Sequence, residues 1–241
     1  MQITHGLGTA GAATAAGPTV VVDVFRAFSA AAYAFGVGAE QIVLAERVDE
    51  AMDLSAVLPG SILMGEDGGV RPAGFDLGNS PGEILADPAR VAGKTIVHRS
   101  SSGTRCARAA LRSGSEPLYV GSLAVASATA SALRGENGVT IIAAGLGGME
   151  PAEEDLICAL LLEQLLAGAA PDLKQAGRQA AATERAVTLQ QADFTHPDDI
   201  RLCCAVDRFE FAMQAESEDG LLVVRPVELT NQVRLDGFVG Q

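Results

Sequence analysis

The stretch Pro18-Thr19-Val20-Val21-Val22-Asp23-Val24-Phe25 decides the fold class of this chain. It is short, nearly all apolar and rich in β-branched residues, and its first strongly polar group is Asp23. Such a run reads as a strand buried on both faces. A helical pattern follows over residues 27–35 and stops at Gly36 and Gly38. The same alternation continues outward. Ile42-Val43-Leu44 precedes a helical 48–57, Thr95-Ile96-Val97-His98 precedes a helical 104–112, and Pro117-Leu118-Tyr119-Val120 precedes an Ala-rich helix that Ser122 can cap. Ser61-Ile62-Leu63-Met64 is a further strand, followed by polar loops. Residues 139–144 form a strand before the helix 151–166, in which Leu156, Leu160 and Leu161 recur at helical spacing.

Residues 174–189 read as one polar helix, and Thr195-His196-Pro197-Asp198 as the cap of a helix running through Val206. Residues 209–213 and 221–224 pair as a hairpin across Glu218-Asp219-Gly220. Strands alternating with helices predict an α/β sheet covered on both faces, and the hairpin makes that sheet mixed. Residues 6–17, GLGTAGAATAAG, read as a flexible loop. No low-complexity linker divides the sequence, so residues 1–241 are expected to form one domain.

A chain of 241 residues can bury a core without disulfides or a structural metal. Its net charge of −13 argues against nucleic acid and anionic membranes as partners, since both require a basic face. No run approaches the ~20 apolar residues that cross a bilayer, and no charged segment introduces a secretory signal. Cys106, Cys158, Cys203 and Cys204 form no CxxC pair and read as buried, reduced thiols, which predicts a cytoplasmic protein. The basic residues are 15 Arg and 2 Lys, and arginine's planar fork grips phosphate and carboxylate.

Two polar loops carry the chemical signal. Arg99-Ser100-Ser101-Ser102-Gly103-Thr104-Arg105 lies between a strand and a helix, where unpaired backbone N–H groups and the helix dipole favour an anion. Ser101, Ser102, Gly103 and Thr104 can offer N–H and O–H groups there, with Arg99 and Arg105 supplying charge. Helix capping alone also explains these residue types. The second loop, Gly74-Phe75-Asp76-Leu77-Gly78-Asn79-Ser80-Pro81, holds Asp76 and Asn79 and has more polar groups than one turn requires.

Asp23 stands where a strand ends, which is where ligands collect in open α/β sheets. It can bind Mg²⁺, attack phosphorus as a nucleophile or activate water, with Arg26 holding phosphate or carboxylate; the plain alternative is a helix cap beside a solvated arginine. Glu66 and Asp67 follow another strand end. Glu153, Glu154 and Asp155 crowd a helix's first turn, where the dipole favours acids, yet one can reach a metal. His5, His98 and His196 form no zinc pattern, and His98 is the one candidate acid or base among them. Glu184 and Arg185 read as solvated surface. The sequence lacks GxxxxGK[ST], which removes P-loop chemistry.

Taken in order, VVVDVFRA, GEDGGVRPAGFDLGNSP, RSSSGTR and PAEEDLICA resemble the 2-phosphosulfolactate phosphatase (ComB-like) family, and the stretch DIRLCCAVDRFEFAMQAESEDGLLVVRPV resembles that family's end. The resemblance runs from about residue 18 to 227. It implies a three-layer α/β/α fold with a mostly parallel, mixed sheet, and Mg²⁺-dependent removal of phosphate from 2-phospho-3-sulfolactate on the way to coenzyme M. It singles out Asp23, Arg26 and Asp76 for catalysis. Asn79, Ser101, Ser102, Gly103 and Thr104 are implied for substrate, to which the loop's own charge adds Arg99 and Arg105, and Asp23, Glu66, Asp76, Glu154 and Asp155 for Mg²⁺. Ser102 stands where the family commonly has Asn, and Asp67 where it commonly has a basic residue. The partner implied is a small anionic phosphoester; an enzyme of this size is often a homodimer.

Three rival readings remain. An isochorismatase-like hydrolase also begins with a strand ending in Asp but needs a nucleophilic cysteine at a strand-to-helix turn. A haloacid-dehalogenase-like phosphatase needs a second Asp where Phe25 stands. A non-catalytic anion-binding module would keep the fold and lose the chemistry.

Overall fold

A computed structural model describes residues 1–228 of the chain; residues 229–241, the end of the expected domain, lie outside the described residues. The strands are β1 Gln2–Leu7, β2 Thr19–Val22, β3 Gln41–Ala45, β4 Ile62–Gly65, β5 Thr95–Arg99, β6 Leu118–Gly121, β7 Gly138–Ala143, β8 Phe211–Glu218 and β9 Leu221–Glu228. The helices are α1 Gly8–Ala12, α2 Ala27–Gly36, α3 Val48–Val57, α4 Pro81–Ala86, α5 Gly103–Arg112, α6 Ala126–Ala132, α7 Glu153–Leu166, α8 Leu173–Ala181, α9 Glu184–Gln190 and α10 Asp199–Cys203.

The strands form a single sheet in the order β1-β7-β2-β6-β8-β9-β3-β5-β4. Two parallel blocks, β1-β7-β2-β6 and β3-β5-β4, flank the antiparallel hairpin β8-β9. The sheet is therefore mixed and mostly parallel, with helices on both sides, in a three-layer α/β arrangement.

Pairing through the hairpin makes the two blocks run in opposite senses, which in a flat sheet would put their carboxyl ends far apart. Curling of the sheet around α2 removes the separation, since residues of both blocks pack on that helix in one cluster. The ends of β2 and β5 meet, and the Gly103 N–H reaches Asp23 Oδ2 at 3.0 Å.

The core between the blocks is built on α2, whose residues Ala27 to Phe35 are all buried. Its alanines allow close approach from several sides. Phe28 and Tyr33 pack in one cluster with Ile42 and Ile96 of one block, Val120 and Ile142 of the other, and Met213 and Val224 of the hairpin. Truncating a buried Phe of this kind costs about 3–5 kcal/mol. On the opposite face, Val20, Val22 and Ile141 pack with Leu161, Leu162 and α8 and α9.

The N-terminus departs from the sequence expectation. Residues 2–12 form β1 and α1, and β1 pairs in parallel with β7 from Gln2↔Gly138 to Leu7↔Ala143. The small residues serve close approach, since a Cβ on Gly11 would lie 2.9 Å from Gly6 Cα. The single helix expected over 174–189 is two, because the Thr183 side chain accepts from Ala186 N and starts α9. On α7, Leu156 and Leu160 are exposed while Cys158, Ala159, Leu161 and Leu162 are buried. Among the described residues, no helix is long and apolar enough to cross a membrane.

Candidate active site

A cleft of about 280 Å³ opens where the two sets of carboxyl ends converge. Asp23 forms its base, just beyond β2. The carboxylate accepts from Ala27 N at 3.2 Å through Oδ1 and from Gly103 N at 3.0 Å through Oδ2. It thus sits between the N-termini of α2 and α5, two ten-residue helices whose dipoles favour negative charge. Burial nevertheless raises its pKa to about 6, helped by Glu66 and opposed by Arg185 and the two amides. Glycine at 103 is a packing requirement, because a Cβ there would fall 2.7 Å from Asp23 Oδ2.

The serine loop forms one wall through Ser100, Ser101 and Ser102. Internal bonds give it shape. Ser100 N donates to Thr104 Oγ1, Thr104 N donates to Ser100 Oγ, and Ser101 N donates to Glu66 Oε1. Ser102 is the exception: among the described residues neither its amide nor its hydroxyl has a hydrogen-bond partner. Glu66, at the end of β4, also accepts from Gly69 N at 2.6 Å and from Ser101 Oγ at 3.1 Å. It ties two walls of the cleft together.

Arg26 lines the cleft but is firmly held. Nη1 donates to Asp199 Oδ2 at 2.8 Å, Nη2 donates to Gly69 O at 3.2 Å, and the guanidinium lies 5.8 Å from the centre of the Phe194 ring. Asp199 is fully buried and also accepts from Ser80 Oγ, Gly82 N and His196 N. Asn79 brings the second loop into the cleft. Its Oδ1 lies 2.8 Å from His98 Nε2, and burial lowers the His98 pKa to about 3. The imidazole is neutral at working pH, so Nε2–H donates to Asn79 and orients its amide.

Other expected site residues lie elsewhere. Asp76 does not line the cleft: Oδ2 accepts from Leu63 N at 3.0 Å and Oδ1 pairs with Arg90 at 2.9 Å, so it braces its own loop. Arg99 is turned away to Glu66 O, Ser101 Oγ and Asp67. Arg105 is exposed and absent from the cleft wall. Gly103 and Thr104 shape the loop with amides already engaged. Asp155 accepts from Val24 N at 2.7 Å and Gly145 N at 2.9 Å, pinning the end of β2 to the turn after β7. Glu154 is buried beside Arg185, near Asp23 but not on the cleft wall.

Arg185, Asp199 and Phe194 belong to the site, although the sequence pattern does not mark them. Arg185 had the pattern of solvated surface, but α9 folds back so that Nη2 donates to Phe25 O at 3.2 Å and the side chain lines the cleft. Its Nε lies 3.0 Å from Glu154 Oε1 without hydrogen-bonding to it, and among the described residues neither Arg185 Nε nor Glu154 Oε2, both buried, has a hydrogen-bond partner.

The thiols are unsuited to attack. Cys106 is fully buried with its pKa pushed up to about 12 by burial, and burial also raises Cys158 well above the usual thiol range. This removes the basis for a cysteine hydrolase.

The carboxylates around the cleft outnumber its cations. Burial raises the pKa values of Asp23, Glu154 and Asp155; Asp23 raises Glu154 and Asp155 further, Glu154 adds to the rise at Asp155, and Arg185 is the opposing cation at Asp23 and Glu154. Among the described residues no three Asp, Glu, His or Cys side chains converge as a ready metal cage. The unpartnered Glu154 oxygen and the surplus of negative charge fit a divalent ion held by one or two carboxylates, with water and substrate oxygens completing its shell, which is the habit of Mg²⁺.

The family profile of 2-phosphosulpholactate phosphatase matches residues 8–218, a span containing every cleft residue described above. The chain belongs to that family. A relative from Thermoplasma acidophilum, named probable 2-phosphosulfolactate phosphatase, is 30% identical over 207 residues, covering 86% of this chain and 89% of its own. A protein of the same name from Bacillus subtilis is 31% identical over 153 residues, covering 62% of this chain and 64% of its own. Another, from Carboxydothermus hydrogenoformans, is 40% identical over 114 residues, covering 47% and 45%. The matched part thus spans between under half and nearly nine-tenths of these family members.

Proposed function

We propose that this chain is a Mg²⁺-dependent phosphatase acting on 2-phospho-3-sulfolactate or a closely related phosphorylated hydroxy acid. The observation that carries the proposal is Asp23 at the base of the cleft, held between two helix N-termini, in a cleft also lined by Ser102, whose amide and hydroxyl have no partner among the described residues. Family membership and the names of the relatives support it. The cleft volume of about 280 Å³ suits a small acid rather than a nucleotide.

The phosphoryl group would lie over the starts of α2 and α5. Arg26 and the Ser102 N–H and O–H stabilise its equatorial oxygens, whose charge shifts as the ester bond breaks. Asp23, with a pKa of about 6, takes a proton from the attacking water. The water oxygen bonds to phosphorus, the P–O ester bond breaks, and its electron pair passes to the leaving oxygen. That oxygen collects the proton, so the products are the hydroxy acid and inorganic phosphate. Asn79 and Glu66 keep the loops in register. When bound, Mg²⁺, with Asp23 and Glu154 as its candidate ligands, would neutralise phosphate charge and raise the acidity of water. The free thiols suit a reducing compartment, and cytoplasmic placement is part of the proposal.

The test is phosphate release from phosphosulfolactate, phospholactate and simple phosphomonoesters, with Mg²⁺ and with EDTA. Metal-dependent release from the hydroxy-acid phosphates is expected. Tight binding without hydrolysis would favour the non-catalytic alternative.

A further inference from the structure

We infer that Arg185 holds the second acid group of the substrate, a carboxylate or sulfonate one or two carbons from the phosphoester, and so makes the cleft select multiply charged phosphoesters. This rests on the phosphatase proposal and assigns a specificity role to a residue outside the sequence motifs.

The two cleft arginines differ in what they have left to give. Arg26 commits one N–H of Nη1 to Asp199 and one of Nη2 to Gly69 O and is buried to 7% exposure, which fixes it at the phosphoryl end of the cleft. Arg185 keeps Nη1 available: among the described residues only its Nη2 donates, to Phe25 O, while its Nε is buried close to Glu154 without hydrogen-bonding to it. Its side chain is 37% exposed and enters the cleft from α9, whereas the serine wall comes from the loop before α5. A phosphoryl group over Asp23 and Ser102 would leave the rest of a three-carbon acid extending toward α9.

Charge favours the same placement. Lone phosphate needs the helix starts and Arg26, but a second anion in a carboxylate-rich cleft requires its own cation, and a guanidinium fork matches carboxylate or sulfonate oxygens. Arg185 is fixed by one backbone carbonyl and one side of Glu154, which pre-orients the fork without consuming it.

The test compares wild type with Arg185→Gln and Arg185→Lys on 2-phospholactate and isopropyl phosphate, which differ chiefly in the carboxylate. The ratio of kcat/KM values, phospholactate over isopropyl phosphate, is expected to fall about 10- to 100-fold in Arg185→Gln, mostly through KM, as expected for a lost charged hydrogen bond. Arg185→Lys should fall between. Calorimetry with sulfolactate, which has no phosphoryl group, should show binding to wild type and its loss in Arg185→Gln. An unchanged ratio, or equal sulfolactate binding by both proteins, would overturn the assignment. Arg185-dependent sulfolactate binding without hydrolysis of any phosphoester by wild type would instead retain it and refute the phosphatase. Thermal melting confirms that the variants are folded.

Discussion

The Gly103 amide donates to Asp23 Oδ2 across 3.0 Å, joining the ends of two parallel blocks that are separated in the sheet by the β8-β9 hairpin. The contact permits no side chain at 103, where a Cβ would also lie 3.0 Å from Phe28 Cε2. Gly103→Ala should therefore destabilise the protein by about 1–3 kcal/mol through overpacking and displace the acid at the base of the cleft. Urea unfolding measures the first effect, and a drop in kcat of about 100-fold the second.

Asp23 also predicts a pH dependence of stability. Its folded pKa of about 6 lies above the ordinary value of 3.8, so the native state holds this proton more tightly than the unfolded chain. Asp23's contribution to stability is then fully present below pH 3.8 and falls as pH rises toward about 6, by about 3 kcal/mol in all. Asp23→Asn removes that slope. It also forfeits one backbone N–H bond, a loss independent of pH. Melting temperatures measured in EDTA from pH 4 to pH 7 should shift progressively in the variant's favour, and a constant difference would contradict the assignment.

Asp199 holds Arg26, Ser80, Gly82 and His196 together from a fully buried position. Asp199→Ala leaves the Arg26 charge buried and unpaired, at a cost of about 3–5 kcal/mol. Asp199→Asn keeps the shape but turns an amide NH2 toward two of these donors, so it should also destabilise, less than Asp199→Ala, and should lower kcat/KM at least about tenfold because Arg26 is no longer fixed over the phosphoryl position. Chemical unfolding and steady-state kinetics separate these effects.

His98 should remain neutral throughout the working range, since burial lowers its pKa to about 3. Nitrogen NMR should find the neutral Nε2–H form from pH 5 to pH 8. A titration in that window would contradict the neutral imidazole.

Much of this site is legible in the sequence, and the gaps have physical causes. Asp23 is visible because the valines before it can only be a buried strand, and strand ends in such sheets face the cleft. The serine loop is visible from its position before a helix, but which of its amides are free depends on Glu66 and Asp23, distant in sequence. Asp76 and Asn79 are equally plausible turn residues; only the fold shows that Asp76 meets Arg90 while Asn79 meets His98. Arg185 and Asp199 lie in polar helical stretches whose pattern says surface, and long-range packing alone buries Asp199 and brings Arg185 to the cleft wall. On α7, leucines occur on several sides, so spacing does not choose the buried face. The β1-α1 segment lacks any apolar period, because its small residues serve backbone contact rather than side-chain burial.

The most direct test is phosphate release from 2-phospho-3-sulfolactate with Mg²⁺ near pH 7.5, by wild type and by folded Asp23→Asn. Turnover by wild type, reduced at least about 100-fold in the variant, is the predicted result. Equal turnover by the two proteins would place the chemistry away from Asp23 and contradict the account.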